Sequence, residues 1–133
     1  MPKFSDRSKE RLRSCCPEIQ RLLNELINYI DFAVVCGHRS ELEQDIAYRD
    51  GASQLQWPKS KHNKYPSKAV DIVFCNTKGT QIWEDAQACM LAGRLIHLAE
   101  WMGIGTRWGG DWNSDQDTTD QTFMDFCHFE SVR

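Results

Sequence analysis

Apolar residues recur along this chain in two different rhythms. Ile19, Leu22, Leu23, Leu26, Ile27 and Ile30 fall three or four positions apart, which places them on one face of a helical segment running from about residue 5 to residue 30. Pro17 suits the first turn of a new helix within it. Phe32-Ala33-Val34-Val35-Cys36 is a short β-branched run ended by Gly37, the pattern of a buried strand. Ser40-Glu41-Leu42-Glu43 has the form of a capping box, so a helix is expected from Ser40 to about Asp50. Ala69-Val70-Asp71-Ile72-Val73-Phe74-Cys75 predicts a second strand, and Trp83 to Met102 a long helix capped by Gly103. A third strand is expected over Ile104 to Trp108, an acidic loop over Gly109 to Gln121, and a last strand over Phe123 to Val132. Residues 51–68 show no periodicity, and a loop of that length in a compact domain usually carries function. Helices and short strands mix without a strict βαβ alternation, which predicts an α+β fold with a small antiparallel sheet packed with helices.

Composition narrows the classes. The 133 residues are 41% hydrophobic, enough for one core, and no repeat or linker divides them, so a single domain over residues 1–133 with no separate binding module is expected. No apolar run approaches the roughly 18 residues of a membrane span, so membrane insertion is not expected. The N-terminus, Met1-Pro2-Lys3-Phe4-Ser5-Asp6-Arg7, lacks the apolar core of a secretory signal, which predicts a cytoplasmic location at synthesis. A net charge of −3 argues against nucleic acid as the main partner. Six cysteines without a C-x-x-C spacing read as reduced thiols, most of them acting as small apolar residues.

One acid stands out. Asp71 interrupts an otherwise buried strand and needs a cation, hydrogen-bond donors or a metal there. His62 closes the long loop and His128 lies near the C-terminus; two imidazoles and one carboxylate from separate elements form a three-ligand set for zinc, with a fourth position for water. Such a centre suits amide hydrolysis. Taken singly, each residue also has an ordinary structural reading: a solvated loop histidine, a salt-bridged strand acid, and a hydrogen-bonded histidine.

The order and setting of these residues carry more. Val34-Val35-Cys36-Gly37-His38-Arg39-Ser40, Ser60-Lys61-His62, Ser67-Lys68-Ala69-Val70-Asp71-Ile72, Arg107-Trp108-Gly109-Gly110-Asp111-Trp112 and Asp125-Phe126-Cys127-His128-Phe129-Glu130 together resemble the VanY-like zinc D-alanyl-D-alanine carboxypeptidases. Within that family the chain looks most like the bacteriophage L-alanyl-D-glutamate peptidases, over roughly residues 15–133. The resemblance implies a hedgehog/D-Ala-D-Ala peptidase-like fold and a zinc endolysin that cuts the peptidoglycan stem peptide between L-alanine and D-glutamate. D-alanyl-D-alanine carboxypeptidase or dipeptidase activity, or a non-catalytic zinc-binding domain, are the alternatives. It implies His62, Asp71 and His128 as metal ligands, Asp125 as general base, and Arg39 as anchor of a substrate carboxylate or developing oxyanion. Ser60, Asp111 and Trp112 are the implied substrate contacts. A monomer that collects in the host cytoplasm and reaches the periplasmic wall through a holin-type pore completes the expectation.

Several points stay open in the sequence. In an ideal strand Asp125 and His128 face apart while Glu130 and His128 share a face, so Glu130 is either a competing base or an acceptor that orients a histidine. Cys127 beside His128 suggests a rival nucleophilic pair. Between His62 and Asp71 the chain is two residues longer than the shortest family spacing, at Tyr65-Pro66. Asp111 to Asp120 places oxygen side chains at alternate positions, like the first half of a calcium loop, but has Gln116 and Thr122 where such a loop needs Gly and Glu. Some members of the family it resembles are thought to use such a loop for calcium (Ca2+) control, with which this sequence is compatible; a solvated acidic loop is the favoured reading.

Overall fold

The computed structural model describes residues 2–132. Among the described residues, helices α1 (Asp6–Arg13), α2 (Pro17–Leu26), α3 (Glu41–Arg49) and α4 (Asp85–Met102) accompany five strands: β1 (Phe32–Cys36), β2 (Ala69–Cys75), β3 (Gln81–Ile82), β4 (Thr106–Gly109) and β5 (Asp125–Ser131). The strands form one antiparallel sheet in the order β1-β2-β5-β4, with β3 attached to β2. The α+β expectation therefore holds. No helix among the described residues is long and apolar enough to cross a membrane.

Local chemistry explains the boundaries. The helical stretch expected over residues 5–30 is two helices, because Pro17 at the start of α2 cannot continue α1. At Ser40 both capping-box bonds are present: its hydroxyl accepts from Glu43 N–H at 3.2 Å and its N–H donates to the Glu43 carboxylate at 2.9 Å. Gly103 ends α4 in the left-handed region at φ 72°. The two-residue strand Gln81–Ile82 escapes a periodicity reading because it is too short to show one.

Val70 and Ile72 of β2 point into a core with Leu22, Leu23 and Leu26 of α2 and Leu91 and Leu95 of α4. Each fully buried aliphatic side chain there contributes about 1.5–3 kcal/mol. The period of two then aims Asp71, between Val70 and Ile72, at the opposite face. Asp71 sits directly across from Cys36 on one side and from His128 on the other. A single row across three strands thus carries a thiol, a carboxylate and an imidazole.

Candidate metal centre and active site

His62 is delivered by the loop rather than the sheet. The long segment expected over residues 51–68 holds one short 3-10 turn, Lys61–Asn63, fixed by its own capping box. Ser60 Oγ accepts from His62 N–H at 3.2 Å, and Ser60 N–H donates to Asn63 Oδ1 at 3.0 Å. Asn63 in turn donates to the Arg39 carbonyl and to Gln44 Oε1. The His62 imidazole is buried, and its Nδ1 lies 2.7 Å from the Gly37 carbonyl. A carbonyl only accepts, so Nδ1 carries the proton and Nε2 keeps its lone pair. Gly37 itself has no room for a side chain: a Cβ would meet the Arg11 carbonyl and the Ser14 hydroxyl at the end of α1.

His128 is fixed in the complementary way. Its Nε2 lies 3.0 Å from Glu130 Oε1, so Nε2–H donates outward and Nδ1 faces inward with its lone pair. His62 Nε2, His128 Nδ1 and Asp71 Oδ1 then stand at the corners of an equilateral triangle, each pair 3.2 Å apart. Three electron pairs converging on one point repel unless a cation sits among them. A tetrahedral ion with bonds of about 2.0–2.1 Å places its ligand atoms about 3.3 Å apart, so this triangle fits three corners of a zinc site. The site favours positive charge, which protons on the imidazoles supply when no ion is bound. Burial pulls the His62 imidazole down, but the Asp71 carboxylate and Cys36 more than offset it and hold it at about 10. Burial likewise opposes the charged forms of His128 and Asp71. Their mutual contact nevertheless raises His128, with help from Glu130, and holds Asp71 well below the usual carboxylate range.

Cys36, His62 and Asp71 also form a donor group with ligand atoms within 4.8 Å of one another. The Cys36 sulfur, however, lies 3.7 Å from His62 Nδ1, the nitrogen already given to Gly37. The set with His128 is tighter and better directed, and Cys36 flanks it. The sequence read Cys36 as a small apolar residue and missed this placement.

The triad lines a cleft of about 480 Å³ that also brings in Arg39, Ser60, Trp112, Asp125 and Glu130. Asp125 reaches it through an irregularity in β5. Trp108 pairs with Phe129 but the next residue, Gly109, pairs with Asp125, so residues 126–128 bulge relative to β4 while His128 keeps its partner on β2. The bulge removes the strict alternation that would turn Asp125 away from His128. Gly109 permits it, since a Cβ there would meet the Asp125 carbonyl. Burial, then the nearby Asp71 charge, raises the Asp125 carboxyl above its usual value.

Glu130 is placed differently. Burial pushes its carboxyl up, yet His128 and then Arg107 outweigh this and hold it low. Arg107 donates from Nε and Nη2 to Oε2 at 3.1 and 2.7 Å, so both carboxylate oxygens are committed. Arg39 donates to Gln44 Oε1 at 2.9 Å and lies 3.7 Å from Asp71 Oδ2. Gln44, fully buried, uses its amide nitrogen on Ser53 Oγ and the Leu55 carbonyl, tying the cleft wall to Arg39. Gln44 and Arg107 were not singled out in the sequence.

Trp112 lies against His128, ring centroids 5.5 Å apart, with the Arg107 guanidinium 5.5 Å from its ring. Its neighbour Asp111 departs from the expected cleft position. It is not among the cleft-lining residues, and its carboxylate accepts from the N–H groups of Asp115 and Gln116. The rest of the acidic loop is similarly occupied with its own turns: Asp115 caps Asp117 and Asp117 caps Thr119. Ser60, expected to touch substrate, spends its hydroxyl on the His62 turn. The surroundings of Cys127 oppose the thiolate that a nucleophile needs. Its Sγ donates to Asp125 Oδ1 at 3.3 Å, and burial followed by the charges of Asp71 and Asp125 pushes the thiol far up.

Known proteins resemble this chain. The L-alanyl-D-glutamate peptidase of Escherichia phage T5 is 32% identical over 125 residues, spanning 90% of this chain and 88% of that protein. The crystal structure of the Serratia marcescens L-Ala D-Glu endopeptidase ChiX superposes with a TM-score of 0.75 at 28% identity, covering 98% of this chain and 90% of that one. The family model for phage L-alanyl-D-glutamate peptidases matches residues 1–132. The chain belongs to the phage L-alanyl-D-glutamate peptidase family.

Proposed function

We propose that this chain is a zinc-dependent endolysin that hydrolyses the L-alanyl–D-glutamate bond of the peptidoglycan stem peptide. The observation that carries the reading is the convergence of His62 Nε2, His128 Nδ1 and Asp71 Oδ1 at 3.2 Å, with both histidine tautomers set by outer partners. These three residues would hold the ion. Bound zinc supplies Lewis acidity, polarising a carbonyl and making water easier to deprotonate at neutral pH.

The remaining work falls to the protein. Asp125, with its carboxyl raised by burial, takes a proton from the attacking water and delivers it to the leaving amine. Arg39, held by Gln44, presents a fixed guanidinium to a substrate carboxylate or to the oxyanion that develops on the scissile carbonyl. Glu130 and Arg107 keep the His128 ring in place, and Trp112 covers it from solvent. The chain works as a monomer, collects in the host cytoplasm and meets the wall after release through a holin-type pore.

Digestion of purified peptidoglycan followed by identification of the new N-termini tests this. New D-glutamate N-termini are expected. Release of free D-alanine would instead assign carboxypeptidase chemistry, and intact wall in the presence of zinc-loaded protein would assign a binding role.

A further inference from the structure

The ladder on one edge of β2 is interrupted. β1 fills the other edge, pairing Phe32, Ala33 and Val34 with Phe74, Val73 and Ile72. On the interrupted edge β5 pairs only with Ala69, Val70 and Asp71, and β3 only with Phe74 and Cys75. Ile72 and Val73 are left between them, beyond the last β2–β5 pair, Asp71 with His128, where the register of β5 with β4 also shifts. A second pocket of about 210 Å³ occupies this gap, with Ile82, Ala88 and Phe126 among its walls. It shares Trp83, Asp125 and Cys127 with the catalytic cleft, so the two are continuous at the proposed base.

Charge divides the two spaces. The cleft is lined by the cations Arg39, Lys61 and Arg107 together with the carboxylates Asp71, Asp125 and Glu130. The side pocket has Asp85 and Asp125 as its charged groups and no lysine or arginine among its described lining residues. An L-alanyl–D-glutamate bond joins two chemically opposite halves, a neutral methyl-bearing residue on the acyl side and an anionic residue on the amine side. An anion finds cationic partners only in the cleft, whereas the side pocket offers it two carboxylates and no cation. We propose that the gap between β3 and β5 is the subsite for the small apolar side chain on the acyl side of the scissile bond, and that Ala88, Ile82 and Trp83 set how large that side chain can be. This rests on the reading of the chain as an L-alanyl–D-glutamate peptidase.

The pocket is larger than a methyl group, so it has room for additional carbons. The test is a set of N-acetyl peptides with alanine, 2-aminobutyrate or norvaline joined to D-glutamate, cleaved by the zinc-loaded full chain. The kcat/KM is expected to rise about fourfold per added methylene, the usual gain for burying one. Ala88→Leu fills the pocket from α4 and is expected to abolish or invert that rise; Ala88→Met is the second variant, both residues being good helix formers. A flat or falling series in the unsubstituted protein overturns the subsite while leaving the peptidase reading intact. A rising series that both Ala88 variants preserve places the side chain elsewhere and also overturns it. No cleavage of the alanine peptide overturns the peptidase reading, and the subsite with it.

Discussion

Asp71 and His128 face each other directly across the β2–β5 ladder, with Oδ1 3.2 Å from Nδ1. Two adjacent strands in fixed register thus set two of the three inward-facing donors, and only His62 depends on a loop. Asp71→Asn keeps the shape but removes the charge that offsets an ion. Metal affinity is expected to fall by more than about 100-fold, beyond the usual cost of losing an outer partner, with wall lysis lost in parallel. Calorimetric zinc titration of the variant checks it; unchanged affinity would contradict the ligand role.

Glu130 acts through its neighbours. Glu130→Gln is expected to weaken zinc binding by about 10–100-fold, because His128 Nε2–H and Arg107 face a neutral amide in place of the carboxylate that fixes the ring and raises its basicity. It also carries a pH signature. Its carboxyl is held low in the fold, so its contribution to stability is present above the unfolded value near 4.3 and lost as pH falls through the lowered folded value. Thermal melts of the metal-free protein across the acid range are expected to show that loss, and Glu130→Gln to lack it.

Asp125 is assigned the proton transfers. Asp125→Asn is expected to lower kcat by about 10²–10⁴-fold while zinc remains bound. A base must be ionised to accept a proton, so activity falls as pH drops through its pKa. Because that pKa is raised, the acid limb of kcat/KM should lie above the ordinary aspartate value near 3.9. An acid limb that persists unchanged in Asp125→Asn would assign the base elsewhere.

Cys127 tests the rival chemistry. The thiol is pushed up and donates to Asp125, so it stays protonated. Cys127→Ser keeps a donor and is expected to change kcat/KM by less than about tenfold, well below the loss from a proton-transfer group. Loss of all activity with zinc still bound would revive a cysteine nucleophile.

Much of this was legible beforehand, for reasons that differ by residue. Ser40 with Glu43, Pro17 and Gly103 act through their own backbone neighbours, so a local reading finds them. Asp71 was conspicuous because a charge in an apolar run needs an explanation. What stayed hidden depends on contacts between distant segments. The pairing of Arg107 with Glu130 follows from the β4–β5 register, and the bulge that turns Asp125 into the cleft follows from Gly109 meeting the Asp125 backbone. The inward turn of Gln44 depends on a loop eleven residues downstream, at Leu55. Asp111 was drawn toward the cleft by its place in the motif, whereas local turn formation claims its carboxylate.

The central claim is that one divalent ion, held by His62, Asp71 and His128, is required for cleavage. The most direct measurement is elemental analysis of the purified chain coupled to a wall-lysis assay, before chelation, after it, and after zinc is restored. One zinc per chain, activity lost on chelation and regained at one equivalent, and neither zinc nor activity in His62→Ala are the predicted results. Full lysis by the chelated protein, with no metal detected, would contradict the account.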